Sequence, residues 1–185
     1  SGEIGMNMKL YACGKEDNQK GIIVDLGVTF ADDSIPGIDL IMPDPGFIID
    51  KKDDLLGIVL THAHEDHIGA VAHIWPDLKC KLYATPFTAA LITEKFKEKK
   101  IDISSFLKIV PLNSKIKLGD FEIDFVTLTH SILEPNGLSI KTPIGTILHT
   151  GDWKIDPNPL IGNKIDEDKL KKIGQEGVSA MICDS

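Results

Sequence analysis

Apolar residues fall in short runs of strand length along most of the chain. Met8–Cys13 and Gly21–Leu26 flank the polar stretch Gly14–Lys20, a pattern that predicts a β-hairpin. Gly57–Leu60 is a short apolar run that ends on Thr61-His62, and Lys81–Ala84 is another. Lys115–Leu118 and Phe121–Thr129 are split by Gly119-Asp120, again a hairpin signal. Leu138–Lys141 and Gly145–His149 are separated by Thr142-Pro143-Ile144, and Ser179–Cys183 is the last strand candidate.

Helical spacing occurs in three places. From His67 to Trp75, the residues Ile68, Val71, Ala72 and Trp75 recur at i, i+3, i+4 and i+7. Thr85–Lys100 offers Thr85 as N-cap and Pro86 at the first helical position, with a lysine run suited to the helix C-terminus. Asp166–Gly174 predicts a third helix, ended by Gly174. Strands interleaved with helices predict an α/β fold with helices packed outside sheets.

The 185 residues fit one domain. Hydrophobic residues make up 42% and charged residues 26%, which excludes a disordered chain. No apolar run approaches the roughly 18 residues of a membrane span. The first residues lack the basic segment and apolar core of a signal peptide, although the sequence does not begin with Met. Cys13, Cys80 and Cys183 are scattered and include no CxxC pair. They read as buried thiols in a reducing cytoplasm rather than a disulfide framework or a cysteine metal site. A net charge of −8 argues mildly against a nucleic-acid binder. Two bound divalent cations would add about +4 locally, so charge alone does not decide the substrate.

The chemistry concentrates in Thr61-His62-Ala63-His64-Glu65-Asp66-His67, with four potential metal ligands in six residues between a strand and a helix. His62 and His64 alternate by two, so in extended chain both imidazoles point the same way. Asp66 and His67 follow where the chain bends. Neutral imidazoles suit zinc, and carboxylates balance a second cation. His130 follows the strand Phe121–Thr129, and Asp152 follows Gly145–His149 in a Thr150-Gly151-Asp152 turn. Either alone reads as a surface residue; beside the HxHxDH motif each becomes a candidate ligand. Glu65 reads equally as a charged loop residue or as an acceptor that orients a ligand histidine. His149 reads as core packing, with ligand orientation as the lesser alternative. His73 reads as solvent-facing, and Lys95–Lys100 as a solvated helix face, with polyanion contact the minor alternative.

The ordered series His62-x-His64-x-Asp66-His67, His130 and Asp152 resembles the motifs of the metallo-β-lactamase superfamily. Asp25, ending a strand, matches its first motif, a structural aspartate under the metal loop. More narrowly, several stretches resemble the ribonuclease J family of β-CASP nucleases. These are Gly2–Met8, Pro36–Asp39 with Met42-Pro43-Asp44, Thr61–Ala70, Thr129–Ile132, and His149–Lys154. The terminal Cys183-Asp184-Ser185 resembles that family's junction with its β-CASP domain, which would bring Asp184 near the metals.

The resemblance implies the N-terminal half of an αββα sandwich over residues 1–185, with the β-CASP insertion and the rest of the sandwich outside this chain. It implies a cytoplasmic RNA-processing enzyme with 5′-to-3′ exonuclease and endonuclease activity and two zinc ions, Mn²⁺ or Mg²⁺ being alternatives. His62, His64 and His130 would hold one metal, Asp66 and His67 the second, with Asp152 bridging; Asp66, His67 and Asp152 would serve the reaction. RNA is the implied partner, a homo-oligomer is compatible, and no membrane is expected. The alternatives are a superfamily hydrolase of a small thioester or lactam, and a metal-binding fragment without activity.

Overall fold

The computed structural model describes residues 5–15, 18–31 and 35–183. Two five-stranded sheets pack face to face, with helices on both outer sides. The first sheet has the spatial order β1 (Lys9–Cys13), β2 (Lys20–Val24), β5 (Leu55–Val59), β6 (Leu82–Ala84), β7 (Leu107–Ile109). Its β1–β2 pair is the expected hairpin, while β2, β5, β6 and β7 run parallel. A two-stranded ribbon, β3 (Thr29–Phe30) with β4 (Leu40–Ile41), follows β2 and leads to the short helix α1 (Gly46–Ile49). The second sheet has the order β12 (Ala180–Ile182), β11 (Gly145–His149), β10 (Asn136–Thr142), β9 (Phe121–Thr127), β8 (Lys115–Leu118). It is antiparallel except for β12, which runs parallel to β11.

Strand alternation divides the core in two. Ile23, Ile58 and Leu60 point to the outer side of the first sheet. There they meet Val71, Ile74, Trp75 and Leu78 of α3 (Val71–Leu78) and Ile92 and Phe96 of α4 (Pro86–Glu98). Ile22, Val24 and Val59 point the other way and meet Phe121, Ile123, Phe125, Leu138 and Ile140 of the second sheet. Each fully buried side chain of this size contributes about 1.5–3 kcal/mol. On the outer side of the second sheet, α5 (Glu167–Glu176) buries only Ile173 and is held largely by Lys169, which reaches Asp124 at 2.5 Å and the Phe125 carbonyl at 2.7 Å.

Several element boundaries differ from the pattern reading. The helix expected over His67–Trp75 is two pieces, α2 (Glu65–Ile68) and α3, and the second runs on through Pro76. The break at Gly69-Ala70 has a tertiary cause: the Leu26 backbone pairs there, its N–H donating to the His67 carbonyl and its carbonyl accepting from Ala70. The third helix passes through Gly174 and ends at Gly177, whose φ is +83°; Asp166 caps it by accepting from the Lys169 N–H at 3.0 Å. The strand expected over Phe121–Thr129 is regular only as β9, to Thr127, and β10 begins two residues early, at Asn136. No described helix is long and apolar enough to cross a membrane.

Candidate metal centre

β5 delivers the motif. Past Val59 the chain stays extended, and His64, at φ −71° and ψ 152°, still has strand geometry before α2 begins. The HxH pair therefore projects to one side, and α2 turns Asp66 and His67 back towards it. The segment before β1 and the loop after β2 clamp this turn: Asn7 N–H donates to the Asp66 carbonyl, Leu26 to His67, and Val28 to Glu65. Gly27 is required by the close approach, since a Cβ there would lie 1.6 Å from the Asp66 carbonyl oxygen. Across the molecule, Thr129 and Lys154 form an isolated bridge that brings His130 and Asp152 to the same place. Gly151, at φ +56°, makes the tight turn before Asp152.

Asp25 organises the floor. It is buried and sits at φ +60°, an uncommon conformation for a residue with a Cβ. Its Oδ1 accepts from the Thr61 N–H at 2.8 Å, and its Oδ2 accepts from the Thr61 hydroxyl and from His67 Nδ1, each at 2.7 Å. The Thr61 proton is thus committed to Asp25, so the Thr61 oxygen, 3.0 Å from His62 Nδ1, accepts from that nitrogen. When neutral, both histidines are held in the tautomer that leaves Nε2 with a free lone pair.

Those lone pairs converge with others. His62 Nε2 and His64 Nδ1 are 3.2 Å apart, His64 Nδ1 and His130 Nε2 3.2 Å, His130 Nε2 and Asp152 Oδ2 3.4 Å, and His62 Nε2 and Asp152 Oδ2 4.0 Å. On the other side, His67 Nε2 lies 3.5 Å from Asp66 Oδ2 and 3.2 Å from Asp152 Oδ1. Metal–ligand bonds of about 2.0–2.2 Å in tetrahedral geometry give ligand separations of roughly 3.3–3.6 Å. Two donor sets of suitable size result, His62-His64-His130-Asp152 and Asp66-His67-Asp152, sharing the two oxygens of one carboxylate. Asp152 Oδ1 is buried and receives no hydrogen bond among the described residues. A buried carboxylate oxygen of this kind, facing imidazole nitrogens, fits a cation.

A model for the beta-lactamase superfamily domain matches residues 35–170. The chain belongs to the beta-lactamase superfamily. Ribonuclease J of Sinorhizobium meliloti is 44% identical over 186 residues, and ribonuclease J of Helicobacter pylori is 39% identical over 185; each alignment takes in 100% of this chain but only 33% and 26%, respectively, of those proteins. The corresponding protein of Corynebacterium glutamicum is 42% identical over 189 residues, covering 99% of this chain and 25% of its own length. The chain therefore spans a third or less of these relatives. Among solved structures, the metallo-β-lactamase fold protein YhfI from Bacillus subtilis superposes with a TM-score of 0.54 at 14% identity, covering 85% of this chain and 58% of that one. That likeness establishes the fold.

Within this superfamily domain, the charge states of the floor follow from burial and pairing. Burial opposes charge on His67, but Asp25 and Asp152 outweigh it and raise its pKa to about 10. Burial and the neighbouring His67 push His62 down to about 3, so it is neutral at physiological pH and ready to act as a ligand. Burial would raise the carboxyls of Asp25 and Asp152, yet the surrounding histidines keep both below the usual carboxylate range.

All six candidate ligands meet at one end of the first sheet, and Asp25 lies beneath them. Glu65 does not orient a histidine: its exposed carboxylate pairs with Lys95 on α4 at 2.6 Å, because α2 turns it outward. His149 is buried, its Nδ1 2.8 Å from the Tyr11 hydroxyl, a link between the two sheets. His73 is exposed, as its position suggested. Asp184 lies outside the described residues.

The sequence reading missed four contributors. Thr61 connects Asp25 to His62, and Asn7 Nδ2 approaches His67 Nε2 at 3.2 Å. Glu134 accepts from the Phe87 N–H at 2.8 Å, capping α4 where the Thr85 side chain does not. Asn136 ties the start of β10 to the Thr61 carbonyl. Only Thr61, adjoining His62, carried a local signal.

Proposed function

We propose that this domain is the catalytic half-site of a two-zinc ribonuclease that cleaves RNA both 5′-to-3′ from its ends and internally, in the cytoplasm. The observation that carries this reading is the pair of donor sets sharing Asp152, found in a chain that matches proteins named ribonuclease J along its whole length. His62, His64 and His130 would hold one zinc and Asp66 with His67 the other, Asp152 joining both. Manganese or magnesium would be weaker fits to so many imidazoles. When bound, the two ions supply Lewis acidity and make water a competent nucleophile near neutral pH.

The chain's own residues set up that chemistry. Asp25 and Thr61 hold His67 and His62 in the tautomers that present Nε2. Asp152, through its two oxygens, fixes the spacing of the two sets. Asp66, more exposed than the ligands behind it, marks the open side from which a phosphodiester would approach. No serine or cysteine nucleophile is required. Three unpaired cysteines agree with a reducing compartment.

The test is hydrolysis of 5′-monophosphorylated RNA by the whole protein and by this chain, with and without a chelator. Chelator-sensitive release of nucleotides from the 5′ end supports the reading. Cleavage that survives complete removal of metal would refute it, and turnover of thioesters or lactams in place of RNA would favour a different hydrolase of the same superfamily.

A further inference from the structure

Asn7 meets the metal loop in two separate ways. Its backbone clamps the turn, the N–H donating to the Asp66 carbonyl and the carbonyl accepting from the Gly27 N–H, both at 2.9 Å. Its side chain takes no part in that clamp. It is buried, and its amide Nδ2 lies 3.2 Å from His67 Nε2, as near as Asp152 Oδ1 does. The set Asp66-His67-Asp152 thus has a neutral hydrogen-bond donor at its edge.

Lys9 sets the orientation of that amide, its Nζ donating to Asn7 Oδ1 at 3.3 Å. A flipped amide would turn its N–H groups towards an ammonium, so Nδ2 is held facing the centre. His67 Nε2 can accept from Nδ2 only while the imidazole is neutral and metal-free. A protonated Nε2 is itself a donor, facing the Asp152 carboxylate at 3.2 Å, and a bound cation takes the lone pair. Nδ2 has no other acceptor among the described residues, and a buried donor without one is costly.

Lys9 also lacks a partner of opposite charge. Four of the described lysines are half-buried. Lys20, Lys95 and Lys169 meet Asp54, Glu65 and Asp124 at 2.6, 2.6 and 2.5 Å. Lys9 meets no carboxylate among the described residues; its polar contact is the Asn7 oxygen. Register fixes its place: it stands opposite Val24 on β2, one residue before Asp25. Strand alternation puts it on the same face of β1 as Tyr11, which reaches His149 of the second sheet. Its side chain therefore enters between the sheets at the end where the ligands meet.

A buried amide donor backed by an ammonium without a counter-charge suits an anionic oxygen. Resting on the ribonuclease reading above, we infer that Asn7 and Lys9 bind the RNA phosphate that enters the second donor set, the Asn7 amide donating to a non-bridging oxygen and Lys9 supplying positive charge behind it. The division of labour has a physical reason. A neutral amide can stand beside a divalent cation without repulsion, whereas an ammonium is better placed one side chain further away.

The experiment separates this role from mere support of the ligand loop, which would weaken metal and RNA binding together. Zinc affinity of the whole protein is measured by chelator competition. Binding of a short, fluorescein-labelled, 5′-monophosphorylated 2′-O-methyl RNA to the zinc-loaded protein is measured by anisotropy across a salt series. Asn7→Ala should weaken RNA binding about tenfold, while the second zinc binds as tightly as in wild type or more tightly, because no amide then competes for His67 Nε2. Asn7→Asp, which keeps the shape but replaces donor by acceptor, should lose at least as much RNA affinity. Lys9→Met, which leaves the clamped turn untouched, should also weaken RNA binding and lower the slope of log K against log salt by up to about 0.7. Lys9→Arg should retain most of the binding. Weaker binding of the second zinc by Asn7→Ala or Lys9→Met, or RNA affinity equal to wild type in either, would overturn the inference. Hydrolysis of unmodified RNA by the wild-type protein is followed in parallel. Its absence, alongside RNA binding that depends on Asn7 and Lys9, would sink the ribonuclease reading while sustaining the phosphate-binding pair.

Discussion

Asp25 and His67, 42 residues apart in sequence, are joined by a 2.7 Å hydrogen bond buried beneath the candidate metal centre. The aspartate fixes which imidazole nitrogen is free, and its negative charge raises the basicity of that nitrogen. Replacing Asp25 by Asn keeps the size but removes the charge and allows the wrong tautomer. Zinc affinity, measured by chelator competition, should fall by about 10–100-fold. Affinity equal to wild type would show that Asp25 serves folding alone.

The same pair predicts how the metal-free domain responds to pH. His67 has an ordinary pKa of 6.5 and a folded value of about 10. Between these values the folded state binds a proton that the unfolded state releases. Stability is therefore fully present below about pH 6.5 and declines as pH rises towards 10, by up to about 1.4 kcal/mol per pH unit. Thermal denaturation of metal-stripped protein between pH 7 and 10 should show this slope, and the Asp25→Asn variant should flatten it. Zinc, by occupying Nε2, should abolish it.

What pattern could and could not reveal follows from where each constraint originates. His62, His64, Asp66 and His67 are close in sequence and lie at a strand–helix junction, so local geometry suffices to align them. The strands β1, β2, β9 and β10 were legible because alternation and turn residues are local. The break in the helix after Ile68 was not, because it comes from the Leu26 backbone arriving from another element. Glu65 was ambiguous for the same reason: its partner, Lys95, is 30 residues away. The short strands β3, β4 and β7 carry too few residues for any periodicity to show.

Gly27 should tolerate no side chain. A Cβ there would press into the Asp66 carbonyl carbon at 2.0 Å as well as its oxygen, and both are backbone atoms in a clamped turn. Gly27→Ala should cost about 3 kcal/mol or more and weaken metal binding by displacing Asp66. Chemical denaturation reads the first effect. A variant as stable as wild type would show that this turn yields easily.

Glu134 offers a milder test of the ligand loop. It sits at φ +54° and accepts from the Phe87 N–H. Glu134→Ala should remove a helix cap, costing about 1 kcal/mol, and loosen His130. Zinc affinity should fall with it, while Glu134→Gln, which keeps an acceptor, should restore most of both. Loss of stability with unchanged zinc affinity would separate the cap from the site.

The two donor sets are unequal, and this bears on how metal loads. One offers three imidazole nitrogens and a carboxylate oxygen; the other offers one nitrogen and two carboxylate oxygens, one of them from the shared Asp152. Asn7 Nδ2 also crowds His67 Nε2 at 3.2 Å, and His67 must lose a proton that Asp25 and Asp152 hold in place against the effect of burial. Zinc should therefore bind this chain in two steps, tightly at His62, His64 and His130 and more weakly at Asp66 and His67. Titration into metal-stripped protein, followed by calorimetry, should resolve a first equivalent that resists dialysis and a second that does not. His64→Ala should abolish the first step, and Asp66→Ala only the second. Both variants should stay folded, since these residues lie at the partly exposed rim, and in the whole protein each should abolish RNA hydrolysis. Asp152→Ala should weaken both steps, because one side chain serves both sets. Two equivalents binding with a single affinity, or an Asp152 variant that loses only one, would contradict the shared-carboxylate geometry.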